Sequence, residues 1–525
     1  MLYALGDHPL LQPRGDMDTT AYVALARHAP AEPFFVSPLY LYFLRAVGIS
    51  LLAARIIQII LGSIAVVLIF DTARLWFGDR AANIAAILAI GTGVISFYEI
   101  TILQAALDPF LVAIVLWLLA RDSAATGIAA GLLALNRPNV LLWLPVLAIA
   151  ILWLRGWRRA LAVVAGVMIA IAPVTIRNYT VSHQLVLISS HGGLIFYIGN
   201  NPEADGTYHH VPGIRPTIAG QSEDAPRVEA REGSFSRRAL QWIATNPGAA
   251  FTLFLRKIAF TFNQTDLALN YSYSFFTHDV GSPLKVLIIG PWLLFPLGLA
   301  GAARNLRNRA FAVWATFIPV YAISVALFFV SSRYRLPLLI PMCVTASAMF
   351  IRPRAVSWIA AALLAVGVCW NFGLDDGRAH ERADMVVYLI EQHRTDEAER
   401  LIDDTETMTR DPNTLHMRSA EALIAYGEPE RGVAMLQRVD GESTDGAMMA
   451  RNVAIAFGKA GQPQKALTAF ATAHRLDPHD ASNLLNMAVL EAQAGNIAAA
   501  REHATAALQI RPDYPQAQGL LHALR

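Results

Sequence analysis

The sequence predicts an all-α protein: a polytopic helical membrane domain over residues 1–373, followed by an α-solenoid of helical repeats over residues 384–525. Three observations support this prediction. Of the 525 residues, 55% are hydrophobic and only 16% are charged, which is too apolar for a soluble protein of this length. The apolar runs stop near residue 373. Beyond them the composition is that of a soluble domain, and residues recur at a fixed interval.

Nine apolar runs predict the membrane helices, because about 20 residues cross the hydrocarbon as a helix that satisfies its own backbone. A shorter apolar piece covers residues 123–135. The runs lie near 56–70, 81–97, 101–120, 138–154, 160–176, 286–303, 310–330, 336–351 and 355–373.

The arginines of the loops predict the orientation of these helices. Five groups fall on one side if 123–135 and 138–154 form a hairpin: Arg74 and Arg80; Arg121; Arg155, Arg158 and Arg159; Arg304, Arg307 and Arg309; Arg352 and Arg354. The positive-inside rule makes that side cytoplasmic. We therefore expect a multi-pass protein of the plasma (inner) membrane, with the loop 177–283 and the repeats on the extracytoplasmic side. Residues 1–53 would also lie outside, so we expect an apolar helix encoded upstream of them.

The C-terminal part repeats with a period of 34 residues. The recurring positions are Gly427, Gly461 and Gly495; Ala420, Ala454 and Ala488; Gly432, Ala466 and Ala500; Leu436, Phe470 and Ala504; Pro478 and Pro512. Small residues at this spacing, where paired helices cross, resemble the tetratricopeptide repeat. A degenerate earlier copy is expected at about 384–411. Such repeats bind peptides or proteins, so this part is either a tethered scaffold or an arm that recruits a partner.

Three acidic residues lie in or beside the apolar runs. Ionisable groups at the bilayer are costly, so Asp18, Glu99 and Asp108 are candidates for function. Asp18 could simply cap a helix that begins at Thr19, but a carboxylate near the interface could also act as a general base.

Three arginines lie in turns that the predicted topology places outside, where arginine should be scarce. Arg137 stands in the Asn136–Asn139 segment, which simple turn chemistry would also explain. Arg333 and Arg335 share one short turn. Guanidinium groups pair bidentately with phosphate, so this turn is the stronger phosphate-binding candidate.

Other classes of site have less support. The net charge of +2 gives no reason to expect binding to nucleic acid. Cys343 and Cys369 lie in apolar runs and are expected to pack rather than to form a disulfide. His191 has no second metal ligand at a useful spacing, so no zinc site is expected.

Several segments together resemble one family of membrane enzymes. They are the Asp-x-x-x-Tyr pattern of Asp18 and Tyr22, the FYE junction at 97–99, the segment RNY…SSHGGLIFYIGNNPEADG, and the SRYRLPL turn at 332–338. Their order is similar to that of polytopic GT-C glycosyltransferases, namely protein O-mannosyltransferases and the aminoarabinose transferase of lipid A. The resemblance covers residues 14 to about 373.

The resemblance implies transfer of a sugar from a polyprenyl-phosphate carrier to a protein or glycolipid acceptor on the extracytoplasmic face of the membrane. Asp18 would be the catalytic carboxylate, with Asp108 or Glu99 as the second acid. The residues implied in substrate binding are Arg333, Tyr334, Arg335, Arg137, Tyr22 and His191. A divalent cation is a possible cofactor.

Two other classes of function remain open. A non-catalytic membrane scaffold for envelope polysaccharide or glycoconjugate assembly would need the repeats alone and should tolerate replacement of Asp18. A transporter is less favoured, because the charged residues gather at one face rather than at the midplane.

Overall fold

The computed structural model describes residues 1–14, 17–28, 30–208, 229–351 and 353–524. Within these ranges every regular element is helical, apart from an isolated bridge between Thr92 and Ile289. Arg352 and residues 209–228 of the predicted outer loop lie outside the described residues. The all-α prediction is confirmed. The chain divides into two compact units, Met1–Arg378 and Ala379–Arg525.

The first unit contains most of the helices. The first ten are α1 (Leu2–Leu5), α2 (Asp18–Arg27), α3 (Pro38–Ala46), α4 (Leu51–Phe77), α5 (Asp79–Ile90), α6 (Gly93–Tyr98), α7 (Asp108–Ala120), α8 (Thr126–Asn136), α9 (Trp143–Arg155) and α10 (Trp157–Ser182). The next nine are α11 (Gly192–Gly199), α12 (Glu229–Thr245), α13 (Pro247–Phe262), α14 (Tyr273–His278), α15 (Pro291–Asn305), α16 (Arg309–Ala315), α17 (Phe317–Ala326), α18 (Ser332–Ser347) and α19 (Ala355–Val368).

Four helical segments of the described residues are long and apolar enough to cross a membrane, where the sequence predicted nine runs. They are Leu51–Phe77, Pro138–Arg155, Trp157–Ser182 and Arg309–Ala326. Shorter apolar helices cover Gln104–Ala120, Thr126–Asn136 and Ala355–Val368. The run 81–97 is divided because α5 ends at Ile90 and α6 begins at Gly93.

The run 336–351 has a different physical role from the long exposed helices. It forms α18, whose side chains from Arg335 to Ser347 are all buried within the unit. The crossing with α15 is close, since a Cβ added at Gly301 would lie 2.0 Å from the carbonyl oxygen of Thr345. The apolar character of α18 therefore reflects a protein core at least as much as contact with lipid.

The second unit is a series of helix pairs, each pair joined by a short turn. They are α20 (Arg378–Glu391) with α21 (Thr395–Glu406), α22 (Pro412–Ala425) with α23 (Pro429–Gln437), α24 (Thr444–Lys459) with α25 (Pro463–Leu476), and α26 (Ala481–Gln493) with α27 (Ile497–Ile510); α28 (Pro515–Ala523) follows. The recurring alanines Ala420, Ala454 and Ala488 are fully buried.

The recurring glycines stand in the turns within these pairs. Gly427, Gly461 and Gly495 have φ angles of +93°, +71° and +83°, which L residues adopt only with strain. His393 occupies the equivalent place in the first pair, 34 residues before Gly427, with φ +56°. Histidine at this position explains why the first copy is degenerate in sequence yet keeps the turn.

Replacement of Gly461 by alanine should lower the stability of this unit by about 1–2 kcal/mol, because alanine would be held at positive φ. Gly458 is the matched control, since it lies inside α24 with no atom closer than 4.0 Å to an added Cβ. Gly458→Ala should raise stability by about 0.5–1 kcal/mol. Chemical denaturation of both variants checks the prediction, and equal effects of the same sign would contradict it.

Candidate functional site

Asp18 and Arg333 form an ion pair, although they are 315 positions apart in the chain. Arg333 Nη1 donates to Asp18 Oδ2 at 2.5 Å and also donates to the side chain of Asn270. The carboxylate is 43% exposed, while the guanidinium is largely buried. The Asp18 carboxylate is therefore accessible to a substrate yet held in place by a cation.

The alternative role of Asp18, as the N-cap of a helix that begins at Thr19, is not observed. Helix α2 begins at Asp18 itself, and Met17 is its N-cap residue. Asp18 is therefore the first helical residue, and its carboxylate accepts from Arg333. An acid in the first turn still interacts favourably with the helix dipole.

Asp108 and Arg137 form a second ion pair, which is buried. Their side chains are 0% and 1% exposed, and Arg137 Nε donates to Asp108 Oδ2 at 3.0 Å. Asn136 Nδ2 donates to the other carboxylate oxygen at 2.8 Å. Arg137 Nη2 also donates to the carbonyl oxygen of Arg333 at 3.2 Å. Arg333 lies in the first turn of α18, not in the short loop that the sequence predicted, and Arg137 thus connects the Asp108 carboxylate to the backbone of this helix.

One donor of Arg137 has no partner among the described residues. Nη1 is buried and makes no hydrogen bond, and Arg137 lines a cavity of about 590 Å³. An unsatisfied buried donor is costly, so such a group is expected to have an external acceptor. An anionic oxygen in the cavity would be a suitable one.

The rest of this cavity is mostly apolar. Its lining includes the leucines at 142, 185 and 187, and Leu185 is 77% exposed. Its polar wall includes Gln104, Ser190, His191 and Tyr334. The cavity therefore combines an apolar, open side with a polar wall to which the buried Arg137 also belongs.

His191 belongs to the wall of this cavity. Burial is the main cause that lowers its pKa to about 4, although the Asp18 carboxylate acts in the opposite direction. The ring is therefore neutral at physiological pH, and it packs against Phe35 with 5.0 Å between ring centroids. A neutral imidazole can orient a substrate by hydrogen bonding, but it adds no positive charge.

The two tyrosines predicted to bind substrate also lie at this site. Tyr22 is buried, and its hydroxyl donates to Gln104. Burial is the main cause that raises the pKa of Tyr22 well above its ordinary value, so its hydroxyl stays protonated. The ring of Tyr334 lies 5.2 Å from the guanidinium carbons of both Arg137 and Arg333. Tyr334 therefore helps to position both cations.

Arg335 lies apart from this cluster. Its guanidinium donates to the carbonyl oxygens of Phe260, Asn263 and Thr265 and to the hydroxyl of Ser332, at 2.6–3.0 Å. These contacts fix the segment that follows α13. Arg335 lines a different cavity, of about 680 Å³. Phosphate binding by Arg335 stays a prediction, and its contacts give it a positioning role.

Glu99 is also separated from the Asp18 cluster. Its carboxylate lies against Gly62 of α4, where an added Cβ would be 1.9 Å from Oε1, and it faces a cavity of about 180 Å³. Ser63 and Ser96 are the polar neighbours in the wall of this small cavity. Burial raises the pKa of Glu99 to about 7.

This raised pKa should make stability depend on pH. Between its ordinary pKa near 4.5 and about 7, the folded state holds a proton at Glu99 more tightly than the unfolded state does. The free energy of unfolding should therefore fall as the pH rises through this window. Glu99→Gln should remove that fall and make the protein more stable than wild type at pH 8. Thermal unfolding of wild type and Glu99→Gln from pH 5 to pH 8 tests this prediction. The same dependence of the melting temperature on pH in both proteins would contradict it.

Two residues of the site were not predicted from the sequence, Gln104 and Asn270. Gln104 accepts a hydrogen bond from Tyr22, and Asn270 accepts one from Arg333. Gln104 is a polar residue inside an apolar run, as Asp108 is, so its position in the sequence marks it as a candidate. Asn270 lies in a polar loop, where an asparagine is not unusual.

Among the described residues, no group of three or more His, Cys, Asp or Glu side chains could hold a metal ion. The divalent cation stays a prediction.

Comparison with known proteins identifies the repeats of the second unit. The family model for the tetratricopeptide repeat matches residues 459–524, from the end of α24 to α28. The chain thus contains tetratricopeptide repeats, as the 34-residue period predicted. No curated protein that was compared matches the chain.

A solved structure, the crystal structure of the APC/C hetero-tetramer Cut9-Hcn1, is also similar to the chain. The similarity covers 84% of this chain and 96% of that chain, with 12% sequence identity and a TM-score of 0.20. A TM-score this low carries no argument about fold or function.

Proposed function

We propose that this chain is a membrane protein that recruits a protein partner through its tetratricopeptide repeats. The match to the repeat family over residues 459–524 is the observation that carries this proposal. Stacked repeats of this type offer an extended surface to peptides and proteins. The long apolar helices of the first unit would hold this arm at the membrane.

A stripe of exposed apolar side chains marks the surface that would bind the partner. Met448 and Ile455 are seven positions apart on α24, and Val489 lies 34 positions after Ile455, at the same place in the next repeat. These three residues, here called the apolar stripe, therefore lie on corresponding faces of successive first helices. We expect the partner to bind at this face, because stacked repeats bind peptides and proteins through an extended surface.

Acidic substitutions in the apolar stripe test this role. Ile455→Glu with Val489→Glu should abolish co-purification of the partner with the full-length protein from membranes. Ile497→Glu is the matched control, because Ile497 is 41% exposed, against 40% for Ile455, but begins a second helix. Equal recovery of the partner by wild type, the double variant and Ile497→Glu would contradict the assignment of this surface.

The first unit favours a second candidate function, the transfer of a sugar from a polyprenyl-phosphate carrier. The observation in its favour is the unpaired Nη1 of Arg137, a residue in the lining of a cavity with an apolar, open side. The carrier phosphate would accept from this donor, while the polyprenyl chain would follow the apolar wall. The resemblance to GT-C glycosyltransferases points to the same substrate class.

The proposed chemistry uses Asp18 as the base. An acceptor hydroxyl or amine would attack the anomeric carbon as its proton passes to the Asp18 carboxylate. The bond from that carbon to the phosphate oxygen would break, and polyprenyl phosphate would leave with the electron pair. Arg137 would stabilise the charge that develops on the phosphate, and Asp108 would hold Arg137 in position.

The transfer reaction has a direct test in cells. Mass spectrometry of envelope glycoconjugates, with and without the protein, should identify a sugar that disappears together with its acceptor. An unchanged glycoconjugate profile would contradict the transfer reaction and leave the first unit an anchor for the repeats.

A further inference from the structure

A second apolar site lies on the first unit, away from the cavity of Arg137. It is a groove of about 540 Å³ between α13, α15 and the Arg309–Ala326 segment. Each helix contributes side chains three or four positions apart, so each presents one face to the groove. Representative lining residues are Ile258 and Phe262 of α13, Leu299 and Leu306 of α15, and Ala312 and Ile323.

The wall of this groove offers a ligand no free polar group. Thr316 is its polar lining residue, and its hydroxyl donates to the carbonyl oxygen of Val313 at 2.7 Å. The same hydroxyl oxygen accepts from Trp143 Nε1 at 3.0 Å. Small residues such as Ala312 leave the space between the helices unfilled. The groove is therefore suited to a hydrocarbon chain rather than to a headgroup.

The length of the groove matches one leaflet of a bilayer. From Ala312 to Ile323 the helix advances eleven residues, or about 17 Å at about 1.5 Å per residue. The hydrocarbon core of a bilayer is about 30 Å thick, so each leaflet accounts for roughly half of that. Leu306 and Ile323, at the two ends, are 51% and 44% exposed, so the groove is open to its surroundings.

Two exposed arginines stand at one end of the groove. Arg307 follows Leu306 directly, and Arg309 begins the helix that forms the opposite wall. The guanidinium of Arg309 lies over the ring of Trp153, 5.4 Å from its centroid. Clustered cations beside a membrane helix attract anionic lipid headgroups.

We propose that this groove holds one acyl chain of an anionic phospholipid, whose phosphate headgroup lies beside Arg307 and Arg309. The inference rests on the proposed membrane location of the first unit. It depends neither on the sugar transfer nor on the protein partner, because the groove shares no lining residue with the cavity of Arg137.

Lipid titration of the full-length protein tests this site. Protein stripped of lipid in detergent would be titrated with phosphatidylglycerol or phosphatidylcholine, and bound lipid would be counted by native mass spectrometry. Wild type should prefer phosphatidylglycerol. Arg307→Glu should weaken that binding on the order of tenfold, since each cation near the surface adds to the attraction. Arg158→Glu is the control, because Arg158 is also exposed but does not adjoin the groove.

A filled groove provides the second arm of the test. Ala312→Trp should lose binding of both lipids, whereas Ile169→Trp, at an exposed position of α10, should not. Ala303→Trp fills the same groove from an exposed position if Ala312→Trp does not fold. Equal binding of the two lipids by wild type, or unchanged binding by the filled variants, would overturn the proposal. A chain that stays dispersed without detergent would instead contradict the membrane location itself.

Discussion

Asp108→Ala should destabilise the first unit by about 3–5 kcal/mol, which is the usual cost of removing one partner of a buried ion pair. The substitution would leave the Arg137 guanidinium charged, 1% exposed and without its carboxylate. It would also free Asn136, which donates to the same carboxylate. Thermal and chemical unfolding in one detergent would measure the loss against wild type.

Two comparisons make this prediction specific. Asp71→Ala removes the acid of a more exposed pair with Arg121, so it should cost no more than about 1 kcal/mol. Replacing both Asp108 and Arg137 with apolar residues should restore much of the stability, because no unpaired charge then remains. A loss for Asp108→Ala as small as that for Asp71→Ala would contradict the buried pair.

Asp18→Asn should reduce sugar transfer by roughly 10²–10⁴-fold, because the amide cannot take the proton of the acceptor. The fold should be little affected, since the carboxylate is 43% exposed and Asp18 is not the N-cap residue of α2. Transfer from a polyprenyl-phosphate sugar would be assayed at matched amounts of protein in the membrane. Asp18→Glu, which keeps the charge, should retain more activity than Asp18→Asn.

The binding of the protein partner supplies the control for this experiment. Asp18→Asn should co-purify the partner as well as wild type does, whereas the double acidic variant of the apolar stripe should lose it. Full transfer by Asp18→Asn would remove Asp18 from the mechanism. Full transfer by a variant that also carries Glu99→Gln and Asp108→Asn would remove carboxylate catalysis altogether.

The repeats were the part of the fold most open to prediction, because each turn within a pair imposes a positive φ. That requirement selects glycine at 427, 461 and 495 and makes the period visible in the sequence. The first copy is harder to recognise, since His393 fills the same backbone position. Local backbone geometry thus explains why the 34-residue period is clear in the later repeats and weak in the first one.

The first unit was less predictable, because an apolar run is compatible with either a spanning helix or a core helix. The run 336–351 is apolar enough to predict a spanning helix, yet α18 is buried among its neighbours.

The candidate site was also predictable only in part. The cost of ionisable residues in apolar runs singled out Asp108 and Arg137, but nothing in their spacing indicates that they pair with each other. The pairs Asp108–Arg137 and Asp18–Arg333 depend on tertiary packing.

Site-specific photo-crosslinking in cells tests the central claim, that the repeats bind a protein partner, most directly. A photoreactive amino acid would replace Ile455 or Val489 in the full-length protein, and Ile497 would be the control position. We expect one protein that crosslinks at Ile455 and at Val489 but not at Ile497. This crosslink should be lost when Met448, another residue of the apolar stripe, is changed to Glu. No crosslinked protein at either stripe position, or the same crosslinks at Ile497, would contradict the claim.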